Sequence, residues 1–139
     1  TDGLRVTFLQ PLTDERTLAE TYRRAGCLCY PSVAERGEAF GRAVLEAMAC
    51  GTPCVVSALE CFQDFVRHGE NALVFDHRAA DAPERLANTI CPILSDLESA
   101  SRLGMAARAS VERLSHDRIA DDYLQMFESV MNCADKQSR

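Results

Sequence analysis

Two glutamates, Glu38 and Glu46, lie within one motif that spans residues 37–53 (GEAFGRAVLEAMACGTP). Glu38 precedes the start of a helix with an apolar pattern, and Glu46 lies about five residues into that helix, roughly 7 Å along its axis. The free N–H groups and partial positive charge of a helix start bind phosphate well. Glycine at position 41 removes the side chain that would keep an oxyanion away from those amides. This pattern suits a ligand with hydroxyls at both ends and a diphosphate between them.

Each glutamate also has an interpretation that involves no ligand. Glu46 follows Arg42 by four residues, so the two side chains could form a solvated ion pair on one helix face. Glu38 could lie near the helix start only because the helix dipole favours an acid there. These alternatives stay open for each residue alone, whereas the whole string of residues 37–53 favours a binding site.

The elements that must position these carboxylates follow from the periodicity of the sequence. Apolar runs predict strands at residues 5–9, 27–30, 54–57 and 72–75. Thr13 is predicted to cap the first helix and Gly26 to end it. The helix of the motif is predicted to begin after Gly41 and end at Gly51, with a buried face of Ala43, Val44, Ala47 and Met48. Apolar strands that alternate with helices indicate an α/β fold, with a parallel sheet and helices on both faces.

The C-terminal part of the chain is predicted to be helical. Asp81 is the candidate cap of a helix whose apolar stripe extends to Leu97, and Pro92 is predicted to kink or split that helix. A second helix is predicted at residues 98–114, and a third begins near Ser115. That third helix has one apolar side, formed by Ile119, Ala120, Tyr123, Leu124, Phe127, Val130 and Met131. The sequence therefore predicts one domain over residues 1–132 and a frayed polar tail over residues 133–139.

Composition excludes several classes of function. The net charge of −6 and the pI near 5.0 argue against a nucleic-acid surface or a polybasic membrane patch. Seven cysteines contain no C-x-x-C pair, which favours reduced thiols that act as small buried hydrophobes in the cytoplasm. The three histidines lack ligand spacing, so we expect no metal site.

The motif closely resembles the two-glutamate signature of the retaining glycosyltransferases of family 4, once called group 1, which have the two-domain GT-B architecture. The resemblance covers residues 6–131. Its other matches are Val6 and Phe8, Pro31 and Ser32, Val55 and Val56, and residues 69–71 (GEN). The chain departs from the family pattern at residues 58–61 (ALEC), where the family has a glycine-rich stretch. It also has Asp64 near the position of a family glutamate, and Ala72 in place of a glycine.

The resemblance implies a Rossmann-like, nucleotide-sugar-binding domain and a role for each motif residue. Glu38 would accept hydrogen bonds from hydroxyls of the donor sugar, where the chemistry takes place. The amides around Phe40, Gly41 and Arg42 would hold the sugar and the diphosphate. Glu46 would bind the ribose hydroxyls. The family needs no metal or cofactor, and its donor is a nucleoside diphosphate sugar.

The resemblance also implies that this chain is the last part of a donor-binding domain, since the family has two more strands and an N-terminal acceptor domain upstream. We therefore expect the isolated chain to be inactive, to self-associate through an exposed sheet edge, and to need its missing N-terminal domain and an unknown acceptor. The parent would be a cytoplasmic transferase that could act at the inner membrane face. Two alternatives stay open: a catalytically inactive nucleotide-sugar-binding or scaffolding module, and an interaction domain whose glutamates are only solvated.

Overall fold

Three parallel strands form the sheet of this protein. The computed structural model describes Gly3 and residues 5–137, with side chains through residue 132. The strands are β1 (Leu28–Tyr30), β2 (Cys54–Ser57) and β3 (Leu73–Phe75), in the order β1-β2-β3. The helices are α1 (Glu15–Arg24), α2 (Arg42–Ala49), α3 (Ala82–Ser95), α4 (Leu97–Val111) and α5 (His116–Gln137), with short 3₁₀ turns at Glu60–Phe62 and Glu112–Leu114. The predicted α/β class and the adjacency of these three strands are confirmed.

Helices cover both faces of the sheet because the side chains of β2 alternate between them. Cys54 and Val56 belong to the core formed with α2 and the C-terminal half of α4. Val55 packs on the opposite face, in the cluster that contains Ile93 of α3. Every residue of β2 is buried, which explains why an almost wholly apolar run predicted this strand at its observed bounds.

The helix of the motif, α2, is held in place by close packing against α4. Its buried residues are Val44, Ala47 and Met48, three of the four predicted, whereas Ala43 is half-buried. A Cβ atom on Gly104 of α4 would lie 2.1 Å from the carbonyl oxygen of Gly51. Only glycine therefore allows α4 to lie this close to the end of α2.

The strand predicted at residues 5–9 is not formed. This segment has no regular secondary structure, and Val6, Phe8 and Leu9 are 72%, 92% and 65% exposed. A strand is stable only when a neighbouring strand satisfies its backbone hydrogen bonds, and none of the described strands lies beside this segment. The outer edge of β1 is likewise unpaired among the described residues.

The predicted cap of α1 was wrong, and α3 is not split at its proline. The cap of α1 is Asp14 rather than Thr13, since Asp14 Oδ2 accepts a hydrogen bond from the amide of Thr17 at 2.8 Å. Pro92 does not split its helix, because α3 continues through it to Ser95. The adjacent Ile93 is buried against the sheet, and this packing stabilises the last turn despite the missing N–H of the proline.

The start of α4 and the end of α5 differ from the bounds predicted for these helices. Leu97, predicted to continue the stripe of α3, instead begins α4 and is 83% exposed. α5 is helical through Gln137, so helical backbone extends into the segment predicted to be frayed, and residues 138–139 lie outside the described residues. Among the described residues, no helix is both long enough and apolar enough to cross a membrane.

The six cysteines whose side chains are described carry free thiols in different surroundings. Cys54 is fully buried, and burial raises the pKa of its thiol to about 12. Cys29 and Cys91 are exposed, contrary to the expectation of buried thiols. Cys29 is exposed because β1 is an edge strand in this sheet.

Candidate functional site

The loops that follow the three strands meet at the carboxyl edge of the sheet, where open parallel sheets bind ligands. The loop over residues 31–41 follows β1 and leads directly into α2. The segment that begins at Ala58 follows β2, and the turn that begins at Asp76 follows β3. The parallel arrangement therefore brings the predicted loop residues Glu38, Phe40 and Gly41 to the carboxyl edge of the sheet.

Glu38 is held by a tyrosine from β1. The hydroxyl of Tyr30 donates a hydrogen bond to Glu38 Oε2 at 2.7 Å, and the glutamate is half-buried. The Tyr30 ring contacts the Phe62 ring edge-on, with centroids 5.9 Å apart and an interplanar angle of 85°. The hydrogen bond to Glu38, followed by burial, raises the pKa of Tyr30. Tyr30 therefore stays protonated at neutral pH and fixes the orientation of the carboxylate.

The N-terminus of α2 presents unpaired amides. Among the described residues, the amides of Phe40, Gly41, Arg42 and Ala43 donate no hydrogen bond, and no side chain caps the helix. These N–H groups and the helix dipole make the start of α2 suitable for an anion.

The role of Gly41 differs from the one expected from the sequence. Its φ of +73° lies in the left-handed region, and a Cβ atom there would lie 2.3 Å from Cε1 of Phe62. The space that a side chain would take is thus filled by an aromatic ring. Glycine is required here by the turn and by Phe62, and the adjacent Phe40 packs on Phe65 with ring centroids 5.3 Å apart.

Glu46 lies in a separate cavity, of about 380 Å³, between α2 and the start of α5. Its Oε1 is 3.3 Å from Nη2 of Arg42, so the two side chains form the ion pair that the sequence predicts in the absence of a ligand. The cavity is also lined by Leu45, Ala49, Arg108, Val111, Glu112, Leu114, Ser115 and His116. Glu38, Phe40 and Gly41 are not among the lining residues. The structure thus places the two glutamates in different surroundings, with different partners.

Glu35, which lies outside the motif that the sequence singled out, contacts the turn that follows β3. Its Oε2 accepts a hydrogen bond from Nη2 of Arg78 at 2.7 Å, and its Oε1 lies 2.8 Å from Nε2 of His77. Arg78 first, and His77 second, lower the pKa of Glu35. The partners are 42 and 43 residues away in sequence, so no local pattern could have shown the contact. Among the described residues, no group of three or more His, Cys, Asp and Glu side chains could hold a metal ion.

The sequence of this chain matches a known protein family. Residues 3–110 match the family described as glycosyl transferases group 1, which is more than half of the chain. The chain belongs to this family. The resemblance given by the motif is therefore confirmed.

Relatives within the group 1 glycosyltransferases include two proteins named D-inositol 3-phosphate glycosyltransferase. The protein from Rhodococcus opacus is 33% identical over 124 residues, which cover 88% of this chain and 26% of the relative. The protein from Stackebrandtia nassauensis is 34% identical over 119 residues, covering 86% of this chain and 25% of the relative. This chain thus spans about a quarter of the length of the curated relatives that it matches.

Solved structures show the same fold. Sucrose-phosphate synthase from Thermosynechococcus elongatus is 35% identical, with a TM-score of 0.77 over 93% of this chain and 31% of that protein. HepE of Anabaena, solved in complex with UDP-glucose, is 24% identical, with a TM-score of 0.67 over 81% of this chain and 30% of that protein. The expected GT-B, Rossmann-like class is confirmed by the first of these likenesses.

Proposed function

We propose that this chain is the donor-binding part of a retaining glycosyltransferase, which transfers a sugar from a nucleoside diphosphate to an acceptor. The observation that carries the proposal is the carboxylate of Glu38, held by Tyr30 beside unpaired amides at the start of α2. A carboxylate accepts hydrogen bonds from sugar hydroxyls, and free amides at a helix N-terminus bind a diphosphate. The family to which the chain belongs supports this assignment.

Each motif residue takes one role in this proposal. Glu38 binds hydroxyls of the donor sugar, and the amides of Phe40, Gly41 and Arg42 hold the sugar and diphosphate. Glu46 binds the ribose hydroxyls in its cavity, exchanging its contact with Arg42 for them. As the sugar–phosphate bond breaks, negative charge grows on the diphosphate, and the α2 dipole stabilises it without a bound metal ion.

The donor and the location are also part of the proposal. UDP-glucose, which HepE binds, is the first donor to test. The free thiols of the described cysteines support a reducing compartment, the cytoplasm.

The test compares Glu38→Gln and Glu46→Gln in the complete protein. Glu46→Gln should weaken UDP binding about ten- to hundredfold, because a charge-assisted hydrogen bond contributes about 1.5–3 kcal/mol. Glu38→Gln should chiefly lower kcat, because its contacts are to the sugar, where charge develops in the transition state. Calorimetry with UDP and steady-state kinetics with UDP-glucose measure the two effects.

Glu20→Gln, at an exposed position of α1, is the matched control and should behave as the wild type. If both site variants keep wild-type affinity and rate, Glu38 and Glu46 are solvated surface acids, and the proposal fails. If both variants lose UDP binding while the wild type binds but never transfers a sugar, the chain is a nucleotide-sugar-binding module instead.

A further inference from the structure

One arginine, Arg78, joins the loops that follow all three strands. It lies three residues after β3, where Asp76 Oδ1 accepts a hydrogen bond from its backbone amide at 3.0 Å. Its Nη1 donates to the carbonyl oxygen of Ala58, after β2, at 2.9 Å. Its Nη2 donates to Oε2 of Glu35, after β1, at 2.7 Å. The three loops at the carboxyl edge of the sheet are thus connected through a single guanidinium.

The second oxygen of Glu35 is also occupied. Oε1 accepts a hydrogen bond at 2.8 Å from Nε2 of His77, whose side chain is only 4% exposed. His77 lines a small apolar cavity of about 200 Å³ with Pro31, Val33, Phe75, Ala82, Pro83 and Leu86. The imidazole is buried, and both oxygens of Glu35 accept hydrogen bonds from donors of the same turn.

The loop over residues 31–41 has few other polar connections to the loops after β2 and β3. It contains no helix or strand, and its internal contacts include a hydrogen bond from the amide of Ala34 to Ser32 Oγ at 3.3 Å. Among the described residues, the two bonds of Glu35 are the only side-chain hydrogen bonds that join this loop to residues after β2 or β3. Glu38 lies three residues further along the same loop, so Glu35 helps to set its position relative to the turn after β3, together with the Tyr30 hydrogen bond and the packing of Phe40 on Phe65.

We propose that Glu35 and Arg78 are positioning residues, whose ion pair holds the loop of Glu38 against the loops after β2 and β3 in the geometry that receives the donor sugar. This inference rests on the proposed function. Arg78 and Glu35 side chains are 53% and 48% exposed, so their pair contributes little to global stability. Its effect is therefore expected at the site rather than on folding.

The experiment uses Glu35→Gln and Arg78→Met, singly and together, in the complete protein. Each single variant should lower kcat with UDP-glucose about ten- to hundredfold, since small misplacement of a contact residue has effects of this size. Affinity for UDP, which lacks the sugar, should stay within about twofold, because the contacts of Glu46 are untouched. The double variant should be no worse than either single variant, since both remove the same contact.

Glu84→Gln, at an exposed position in the first turn of α3, is the matched control and should leave kcat unchanged. Three results would each overturn the positioning role. The first is an equal loss of affinity for UDP and for UDP-glucose, and the second is an additive loss of kcat in the double variant. The third is a wild-type kcat in the single variants.

Amide hydrogen exchange separates this inference from the proposed function. Glu35→Gln should speed exchange at residues 33–40 and leave exchange in β2 unchanged, with or without a nucleotide. Unchanged exchange in a protein that binds UDP-glucose overturns the positioning role alone. If the wild-type protein binds none of UDP-glucose, ADP-glucose and GDP-glucose, the proposed function fails. The donor-positioning role then fails with it.

Discussion

Glu38 and Glu46 lie eight residues apart, yet they have different partners. Glu38 accepts a hydrogen bond from a tyrosine of the sheet, whereas Glu46 pairs with Arg42 on its own helix. The first contact crosses between elements and fixes a loop, and the second is an exposed helix pair that contributes a few tenths of a kcal/mol. Tyr30 is therefore the neighbour whose removal should most affect Glu38.

We expect Tyr30→Phe to lower kcat in the complete protein about tenfold, because Glu38 loses its hydrogen-bond donor and its fixed orientation. Donor-dependent steady-state kinetics with UDP-glucose measure the effect. Tyr123→Phe, at an exposed position of α5, is the control and should be neutral. Equal rates for the two variants would contradict a role for Tyr30 in orienting Glu38.

The pH dependence of this contact has a definite sign. The folded-state pKa of Tyr30 is raised, chiefly by its hydrogen bond to Glu38. The contribution of the contact to the free energy of unfolding is therefore fully present below about pH 10, the ordinary pKa of a tyrosine. It is lost only as the pH rises through the raised value, so the contact persists throughout the neutral range.

At the scale of elements, the start of α2 depends on packing against the turn that follows β2. Phe62 is 2% exposed and fills the space beside Gly41, while its ring also contacts Tyr30. The residues between β2 and β3 thus determine the backbone conformation at the α2 N-terminus. The family has glycines in part of this segment, and here bulkier side chains occupy residues 58–61.

We expect Gly41→Ala to destabilise the protein by about 2–5 kcal/mol. The left-handed conformation costs alanine about 1–2 kcal/mol, and the contact with Phe62 adds about 1–3 kcal/mol. Gly69→Ala is a matched control, since Gly69 has a φ of +79° but nothing within 4 Å of its Cβ position. Urea unfolding measures both variants. Equal losses of unfolding free energy in the two variants would show that the contact with Phe62 adds nothing. The backbone conformation would then account for the whole effect.

At the scale of the whole molecule, two apolar surfaces are uncovered among the described residues. One is the segment at residues 5–9, and the other is the apolar side of α5, where exposure ranges from 38% at Ile119 to 67% at Met131. Patches of this kind mark interaction surfaces in soluble proteins. They lie in a chain that spans about a quarter of its curated relatives.

We expect the purified 139-residue chain to self-associate in a concentration-dependent way, because both surfaces are apolar and exposed. Light scattering over a dilution series measures the mass. Phe8→Ser combined with Leu124→Gln should reduce association, whereas Met105→Gln, at an exposed apolar position on α4, should not. A monomer at all concentrations would contradict this expectation.

We also expect the 139-residue chain to transfer no sugar by itself, since the proposed reaction needs an acceptor site supplied by the rest of the protein. Incubation with radiolabelled UDP-glucose and the acceptor used for the complete protein measures transfer. The complete protein serves as the positive control under the same conditions. Turnover by the isolated chain would show that it contains the acceptor site as well.

Features with local causes could be predicted from the sequence. The apolar run at residues 54–57 predicted β2 at its observed bounds, because a strand buried on both faces has few polar side chains. Gly41 and Gly51 bracketed α2 to within two residues, since glycine favours the positive φ found at both positions. The motif at residues 37–53 resembles the family's two-glutamate signature closely enough to indicate the family, and the family match over residues 3–110 confirms it.

Features that join residues distant in sequence could not be predicted, because they depend on how the helices and strands pack. Residues 5–9 have the composition of a strand, but a strand also requires a neighbour, and the described sheet provides none. Pro92 lies inside α3 because the free energy gained by burying Ile93 outweighs the low helix propensity of proline. The contacts of Glu35 with His77 and Arg78, and of Phe62 with Gly41, arise where separate loops meet. Local periodicity predicts elements, whereas contacts between loops depend on how those elements pack in three dimensions.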